Sequence, residues 1–411
     1  MLAQSVGITP PEPHLTAADM LERARSLRTV LRTRQALCEQ LGRIPEETNS
    51  DFVNAGFYRM LQPRTFGGYE FSVVDFVRVM VEVSRGCSES GWVLALTTGH
   101  TAAFVAGFPE QAQREVYGST GDVRVPGVAL PGGVAIPTAD GYRISGTWDY
   151  ASGCDVATHF LGAVIMLDAD TSQPRAYGYV LLDASMYTIV DNWNVVGMQG
   201  TGSKRIVAAE QIVSHHRVQE FADATTMTMN ADQPGRKLYA NPLFHGPIVP
   251  LLLTELGAVA VGAAKGALDL YDELLRSRKS PLPPFLPAFE STQHQHHFGH
   301  AQGLIDTAEA ALLQLGLDYL TMAEQSVSGS PPTAEDQRRY QRIIQHILQL
   351  CWEAVDLIFR SAGSSVARQG SMLARSFKNL AVIRTHVTMQ DHTTAINLGR
   401  LHFGLAPLSA L

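Results

Sequence analysis

The 411 residues contain four cysteines, at 38, 87, 154 and 351, and no two of them form a C-x-x-C pair. That spacing fits a reducing compartment and argues against a disulfide scaffold or a thiolate zinc site. No apolar stretch of about 18 residues runs free of charge and proline, so a transmembrane span is not expected. The N-terminus, MLAQSVGITPPEPHLTAADM, lacks a charged start followed by an apolar core. No signal peptide is therefore expected, and the chain reads as cytoplasmic. Basic runs are also missing. The net charge is -7 and the pI near 6.0, so nucleic acid is not an expected partner. Nor does a strand-linked G-x-G-x-x-G occur, so NAD(P)H has no Rossmann site here.

What is present falls into three blocks, expected at 1–119, 120–220 and 221–411. A Pro-rich arm over residues 1–13 leads into a helical pattern from Thr16, with Leu21, Ala24, Leu27, Val30 and Leu31 at spacings near three and four. A short helix is read from Phe52 until Pro63, then a turn at Phe66-Gly-Gly-Tyr-Glu70. A long helical region spans Val73 to about Phe108, broken near Gly86–Ser90. From about Gly121 the period changes to two, and strands separated by Gly, Pro and Asp predict a compact antiparallel β-domain to about Val218. Helices return at Leu251–Arg278, Gln293–Met322, Ala334–Ala362 and Ala374–Leu401, which predicts a C-terminal four-helix bundle.

Within the β-block, Trp148-Asp-Tyr-Ala-Ser-Gly-Cys-Asp155 follows an Asp140-Gly141 turn signal and sits where a strand ends or bulges. Such a place can hold a flat aromatic ligand against backbone and one hydroxyl; an ordinary strand end with a buried Trp is the alternative. Gly197-x-x-Gly200-x-Gly202-Ser203-Lys204 lacks the Gly-Lys-Ser/Thr ending and does not open a helix, so it is not a phosphate loop. His294, His296, His297 and His300 cluster, with His296 and His300 at i, i+4. No carboxylate or thiolate joins them at ligand spacing, so no metal is assigned and a solvated or interface face is the reading. Residues 371–411 hold no glutamate and one aspartate, Asp391.

Five stretches carry a resemblance. They are Leu61-Gln-Pro with Phe66-Gly-Gly-Tyr-Glu70, Ser88-Glu-Ser-Gly-Trp-Val-Leu-Ala-Leu with Gly99-His100, Trp148 with Tyr150-Ala-Ser-Gly, Trp193-Asn-Val-Val-Gly-Met-Gln-Gly-Thr-Gly-Ser203, and the region around His386. In this order they resemble the acyl-CoA dehydrogenase fold, α+β, with N-terminal helices, a central antiparallel β-barrel-like domain and a C-terminal four-helix bundle. More narrowly the chain resembles the oxygenase components of two-component flavin-dependent monooxygenases. The resemblance implies reduced flavin (FMNH2 or FADH2) delivered by a separate NAD(P)H-dependent reductase, O2 as co-substrate and a flavin C4a-hydroperoxide. It further implies an aromatic or heteroaromatic substrate and a homotetramer. An acyl-CoA dehydrogenase, or N- or S-oxygenation on the same scaffold, is the alternative. The absence of glutamate from the last helix weighs moderately against thioester chemistry, since a glutamate elsewhere could serve.

A flavin oxygenase needs a water-poor cavity with a hydroxyl or backbone donor near flavin N5 and few other polar groups. Ser152 is the candidate, and Trp92 and Trp148 either wall the ring or pack the core. The resemblance also implies His100 beside flavin and substrate, where the sequence alone suggests a core histidine. It implies Thr201 and Ser203 at the cofactor, and Arg276 or Arg278 on the flavin phosphate, where cations at a helix C-terminus are the alternative. Phe298-Gly299-x-x-Gln302 echoes a dehydrogenase Arg-x-x-Phe-Gly motif, with Gln295 in place of the arginine. His386, expected on the last helix, is the candidate base for a phenol or indole substrate, or a donor to the peroxide.

Overall fold

The computed structural model describes residues 7–223, 228–229, 233–280 and 283–408. The first six residues of the expected arm lie outside that range. Its end is pinned, because the Ile8 amide donates to the Thr65 carbonyl at 3.0 Å. Thr16 starts the first helix. Its hydroxyl accepts the Asp19 amide and the Asp19 carboxylate accepts the Thr16 amide, so two donors left free at a helix start are satisfied. Helix α1 spans Ala17–Leu41, α2 Glu46–Asn54, α3 Val73–Gly86, α4 Ser88–Ala103 and α5 Glu110–Tyr117. The short helix expected over Phe52–Pro63 is different: α2 stops at Asn54, and Gly56, at φ 79°, leads into one 3-10 turn over Phe57–Arg59.

The strands are β1 (Gly127–Thr138), β2 (Gly141–Ala151), β3 (His159–Leu167), β4 (Pro174–Asp183), β5 (Thr188–Val190), β6 (Lys204–Ser214), β7 (Val218–Asp223) and β8 (Thr228–Met229). Their order in the sheet is β5-β6-β2-β1-β3-β4-β7-β8. The sheet is mixed, not antiparallel throughout as expected. β1 forms a hairpin with β2 across Asp140, but pairs in parallel with β3. The chain must therefore cross from the end of β2 to the far side of β1, and residues 152–158 make that crossing over the start of β1. The Thr158 amide donates to the Arg124 carbonyl there at 3.0 Å.

After the sheet come α6 (Ile248–Ser277), α7 (Thr292–Val327), α8 (Ala334–Ser361), α9 (Met372–Ile383) and α10 (Asp391–His402). α6 is long and apolar enough to cross a bilayer, but 83% of its most apolar window is buried inside the fold. The apolar stripe of α8, including Ile344, Ile347, Leu348, Cys351, Val355 and Ile358, is buried likewise. The single last helix expected over Ala374–Leu401 is two helices. Between them Thr385, Val387 and Thr388, all β-branched and poor in a helix, pass through a 3-10 turn whose first cap is His386. Two cores result, one running through the helices and a smaller one inside the sheet around Trp148 and Phe160.

Candidate active site

α4 faces the crossing segment with Val93 and Thr97, one turn apart, with Trp92 beside them, and faces the start of β1 with His100. A Cβ on Gly153 would fall 2.9 Å from Val93 Cγ1, so the turn after Ser152 lies directly on the helix. Ser152 Oγ accepts the Trp92 indole N–H at 3.0 Å and lies 2.7 Å from Ser203 Oγ. Ser203 Oγ lies 2.7 Å from Thr201 Oγ1, and Thr201 donates to the Met198 carbonyl at 2.8 Å. A carbonyl only accepts, which fixes every proton in this row. Thr201 gives its hydrogen to Met198, Ser203 gives its own to Thr201, and Ser152 gives its own to Ser203. The row begins at Trp92 and leaves Ser152 with an acceptor lone pair, not the free donor hydrogen expected of it from the sequence.

The loop carrying Thr201 and Ser203 is fastened from three sides. The Met198 amide donates to Asn379 Oδ1 at 2.7 Å, the Gly200 amide to Glu89 Oε1 at 2.9 Å, and the Trp193 indole to the Met198 carbonyl at 3.1 Å. It leads into a strand rather than a helix, as its rejection as a phosphate loop requires.

His386 meets the other side of Trp92, with ring centroids 5.9 Å apart at 66°. Its Nδ1 lies 2.8 Å from Thr388 Oγ1 and accepts the Thr388 amide at 3.4 Å, so Nε2 carries the hydrogen of the neutral ring. Crowding by the surrounding protein pushes its pKa down to about 4. Because His386 lies in the turn and not on a helix, the expected shared helical face with Met389, Gln390 and Thr393 does not exist. His100 is buried, and its Nδ1 donates to the Val125 carbonyl at 3.1 Å, leaving Nε2 as an acceptor. Burial pushes its pKa down to about 4, the carbonyl contact opposing.

Other expected site residues lie elsewhere. Trp148 is inside the sheet core, its indole donating to the Ala163 carbonyl at 2.7 Å and its ring 5.5 Å from Phe160. It takes no part in the hydroxyl row. Arg276 pairs with Asp272 one turn back at 2.9 Å, and Arg278 donates to the Ala362 carbonyl at 3.0 Å. Neither hydrogen-bonds to the hydroxyl row. The histidines of 294–300 lie on the first turns of α7, where His296 and His300 stack at 6.0 Å without a carboxylate partner among the described residues.

Tyr150 lies in a stretch that carries the resemblance but was given no role from the sequence. It is 71% exposed at φ 67°, two residues before Ser152, with the Trp193 ring edge-on at 6.0 Å. A large exposed aromatic at positive φ is the feature that a flat ligand would cover. Glu255 on α6 was also missed. It is fully buried with neither carboxylate oxygen paired among the described residues, and burial holds its pKa well above the usual range. A Cβ on Gly99 would fall 1.8 Å from Glu255 Oε1, so the carboxyl fills the notch beside His100. An isolated Glu in a mostly apolar helix is the signal that could have found it.

Comparison with known proteins gives a consistent picture. Residues 19–119 match the acyl-CoA dehydrogenase N-terminal domain and residues 255–391 the acyl-CoA dehydrogenase C-terminal domain. A pigment production hydroxylase of Rhodococcus erythropolis is 31% identical over 378 residues, which are 88% of this chain and 91% of that protein. The oxygenase component of an FADH2-dependent resorcinol hydroxylase of a Rhizobium species is 28% identical, with 96% of each chain covered. The crystal structure of the HsaA monooxygenase of Mycobacterium tuberculosis superimposes with a TM-score of 0.86 at 25% identity, covering 96% of this chain and all of that one.

Proposed function

The chain belongs to the acyl-CoA dehydrogenase family, among the oxygenase components of flavin-dependent aromatic monooxygenases, and on that premise we propose how its own residues divide the work. The flavin is reduced FMN or FAD, handed over by a separate NAD(P)H-dependent reductase in the cytoplasm. Reduced flavin supplies the electrons and the O2-activating ring when bound. The residues fit it. Tyr150 and Trp193 offer an uncovered aromatic platform, and the Ser152 lone pair beside them faces a ligand that carries an N–H.

The observation that carries this reading is the proton-ordered row from Trp92 through Ser152, Ser203 and Thr201 to the Met198 carbonyl. It orients Ser152 as an acceptor for the reduced ring's N–H. When negative charge develops near Ser152, the row can reverse only if Thr201 releases Met198. Trp92 seals one side of the site against water, and His386 meets it edge-on from the substrate side. His386 offers Nε2–H to a substrate oxygen, or takes a phenolic proton there if Thr388 accepts from Nδ1 instead. His100 holds the wall next to the start of β1 as a neutral ring. The substrate class is a phenol or related heteroaromatic, as the resorcinol hydroxylase named above suggests. We further propose a homotetramer.

Ser152→Ala tests the reading. Loss of the hydrogen bond that Ser152 accepts from the ring's N–H, on the order of 0.5–1.5 kcal/mol, should raise H2O2 release per reduced flavin roughly two- to tenfold at the expense of hydroxylated product. Rapid mixing of protein, reduced flavin and O2 with a phenol panel measures both. Unchanged coupling would remove Ser152 from the site. Bleaching of bound oxidised flavin by an acyl-CoA under nitrogen would instead mark a dehydrogenase.

A further inference from the structure

Under the loop that carries Thr201 and Ser203, three ligand-type atoms meet. Cys38 comes from the end of α1, Cys87 and Glu89 from the start of α4, and the two sulfurs and a Glu89 carboxylate oxygen all lie within 4.8 Å of one another. All three residues are buried. Glu89 Oε1 accepts the Gly200 amide, but Oε2 has no partner among the described residues. Cys38 Sγ lies 3.6 Å from the Gly200 carbonyl, and the Ser90 hydroxyl donates to Cys87 Sγ at 3.3 Å. A Cβ on Gly200 would fall 2.2 Å from Cys38 Sγ, so the loop backbone rests on this cluster with no side chain between.

We propose that Cys38, Cys87 and Glu89 bind a zinc-class divalent cation whose role is to hold the Gly200 loop in place behind the hydroxyl row. Zinc takes thiolate sulfur at about 2.3 Å and carboxylate oxygen at about 2.1 Å, which in a tetrahedron puts the sulfurs about 3.8 Å and a sulfur and oxygen about 3.6 Å apart. Both separations fall inside the observed limit of 4.8 Å. The Gly200 carbonyl is the fourth donor within reach. Binding releases the protons that the two thiols and the carboxyl still hold, and forms two sulfur–metal bonds and, with the Gly200 carbonyl, two oxygen–metal bonds. Three anions around a dication leave one negative charge, and the Glu89 and Ser90 amides at the start of α4 face the Cys87 sulfur to meet it.

Cys87 is the more acidic thiol, held below the usual thiol range first by the Cys38 S–H and then, against the cost of burial, by Ser90 and the two amides. Glu89, by contrast, is pushed up to about 8 by burial and by the sulfur beside it. A cation reverses that second preference, because it stabilises carboxylate and thiolate together. The unpartnered Oε2 then gains a bond.

The test uses the full-length protein expressed with Co2+ in place of Zn2+, and in parallel with Zn2+. The expected result is one metal per chain by elemental analysis, with near-ultraviolet thiolate-to-cobalt charge-transfer absorbance. That absorbance should weaken in Cys38→Ser and in Cys87→Ser. Glu89→Gln keeps an oxygen for the Gly200 amide, so it should stay folded while the metal content drops. If the serine variants do not fold, the wild-type spectrum and Glu89→Gln decide. Metal at background with both thiols free would overturn the proposal. So would a Cys38–Cys87 disulfide by intact mass, or a cobalt spectrum unaltered by every one of these substitutions. Flavin binding by Glu89→Gln, read by fluorescence quenching, separates loss of the metal from loss of the oxygenase reading.

Discussion

His386 carries the substrate end of the proposed site, and its ring nitrogens are not equivalent. Thr388 holds Nδ1 from both its amide and its hydroxyl, so Nε2 has the hydrogen in the neutral ring. With a pKa near 4, the ring is neutral throughout the physiological range and cannot serve as a resting acid. A neutral Nε2–H donor orients a phenol oxygen; in the other tautomer, with Nδ1–H donating to the Thr388 hydroxyl, Nε2 takes the phenol's proton and the ring becomes imidazolium. His386→Ala should therefore leave reduced-flavin binding and O2 consumption intact and slow substrate hydroxylation by on the order of a hundred- to ten-thousandfold. Single-turnover product formation set against O2 uptake checks this. If O2 uptake itself stops, His386 belongs to oxygen activation. If hydroxylation is unchanged, the histidine is structural and His100 takes its place.

At the scale of elements, the junction of α4 with the start of β1 depends on His100. Its Nδ1–H to the Val125 carbonyl is a buried helix-to-strand bond, and burial depresses its pKa from about 6.5 to about 4. The unfolded chain takes up that proton below about 6.5 while the folded chain resists until about 4. Stability is therefore present above pH 6.5 and lost as pH falls towards 4, by about 3 kcal/mol for this one group. His100→Gln, whose amide can still donate to Val125, should flatten the fall of Tm between pH 6.5 and 4. An unaltered pH–Tm slope would show that His100 is protonated in the fold. Much of this level could be read from sequence, because periods of 3.6 and 2 mark α1, α3, α4, α6, α7, α8 and β2 through β4. The α9–α10 break could not, since Thr385–Thr388 contains no Pro or Gly to announce it. Neither could the β1–β3 parallel pair, which depends on where residues 152–158 cross rather than on any local pattern. In the site, Ser152, Ser203, Thr201, Trp92 and His386 come together from segments that the sequence singled out. Cys38, Cys87 and Glu89 stayed hidden because each reads locally as core, and only the pairing of α1 with α4 makes them neighbours.

For the whole molecule, the Gly/Ala-rich α6 and the apolar stripe of α8 are the segments whose composition would suit a homotetramer interface, but the fold uses both internally. α6 is enclosed by α3, α4, α7, α8 and α9, and the α8 stripe is buried in the same core. What stays uncovered is elsewhere. Phe403 is 76% exposed and Leu408 63%, both just beyond α10, and Phe285, Leu286 and Phe289 are about half exposed between α6 and α7. Single exposed apolar residues are ordinary, but runs of them at two chain segments are where the proposed homotetramer would pack. Closed symmetry is the common way for identical chains to cover such surfaces, and two different patches allow two different interfaces, which is what a dimer of dimers requires. The hydroxyl row does not depend on either patch, so assembly and site can be separated by mutation. Sedimentation equilibrium at micromolar concentration should give about four times the 44.7 kDa chain mass. Phe403→Ser with Leu408→Ser should shift it towards the dimer while the chain stays folded. A wild-type monomer at that concentration would refute the assembly and leave the exposed segments to a partner of another kind.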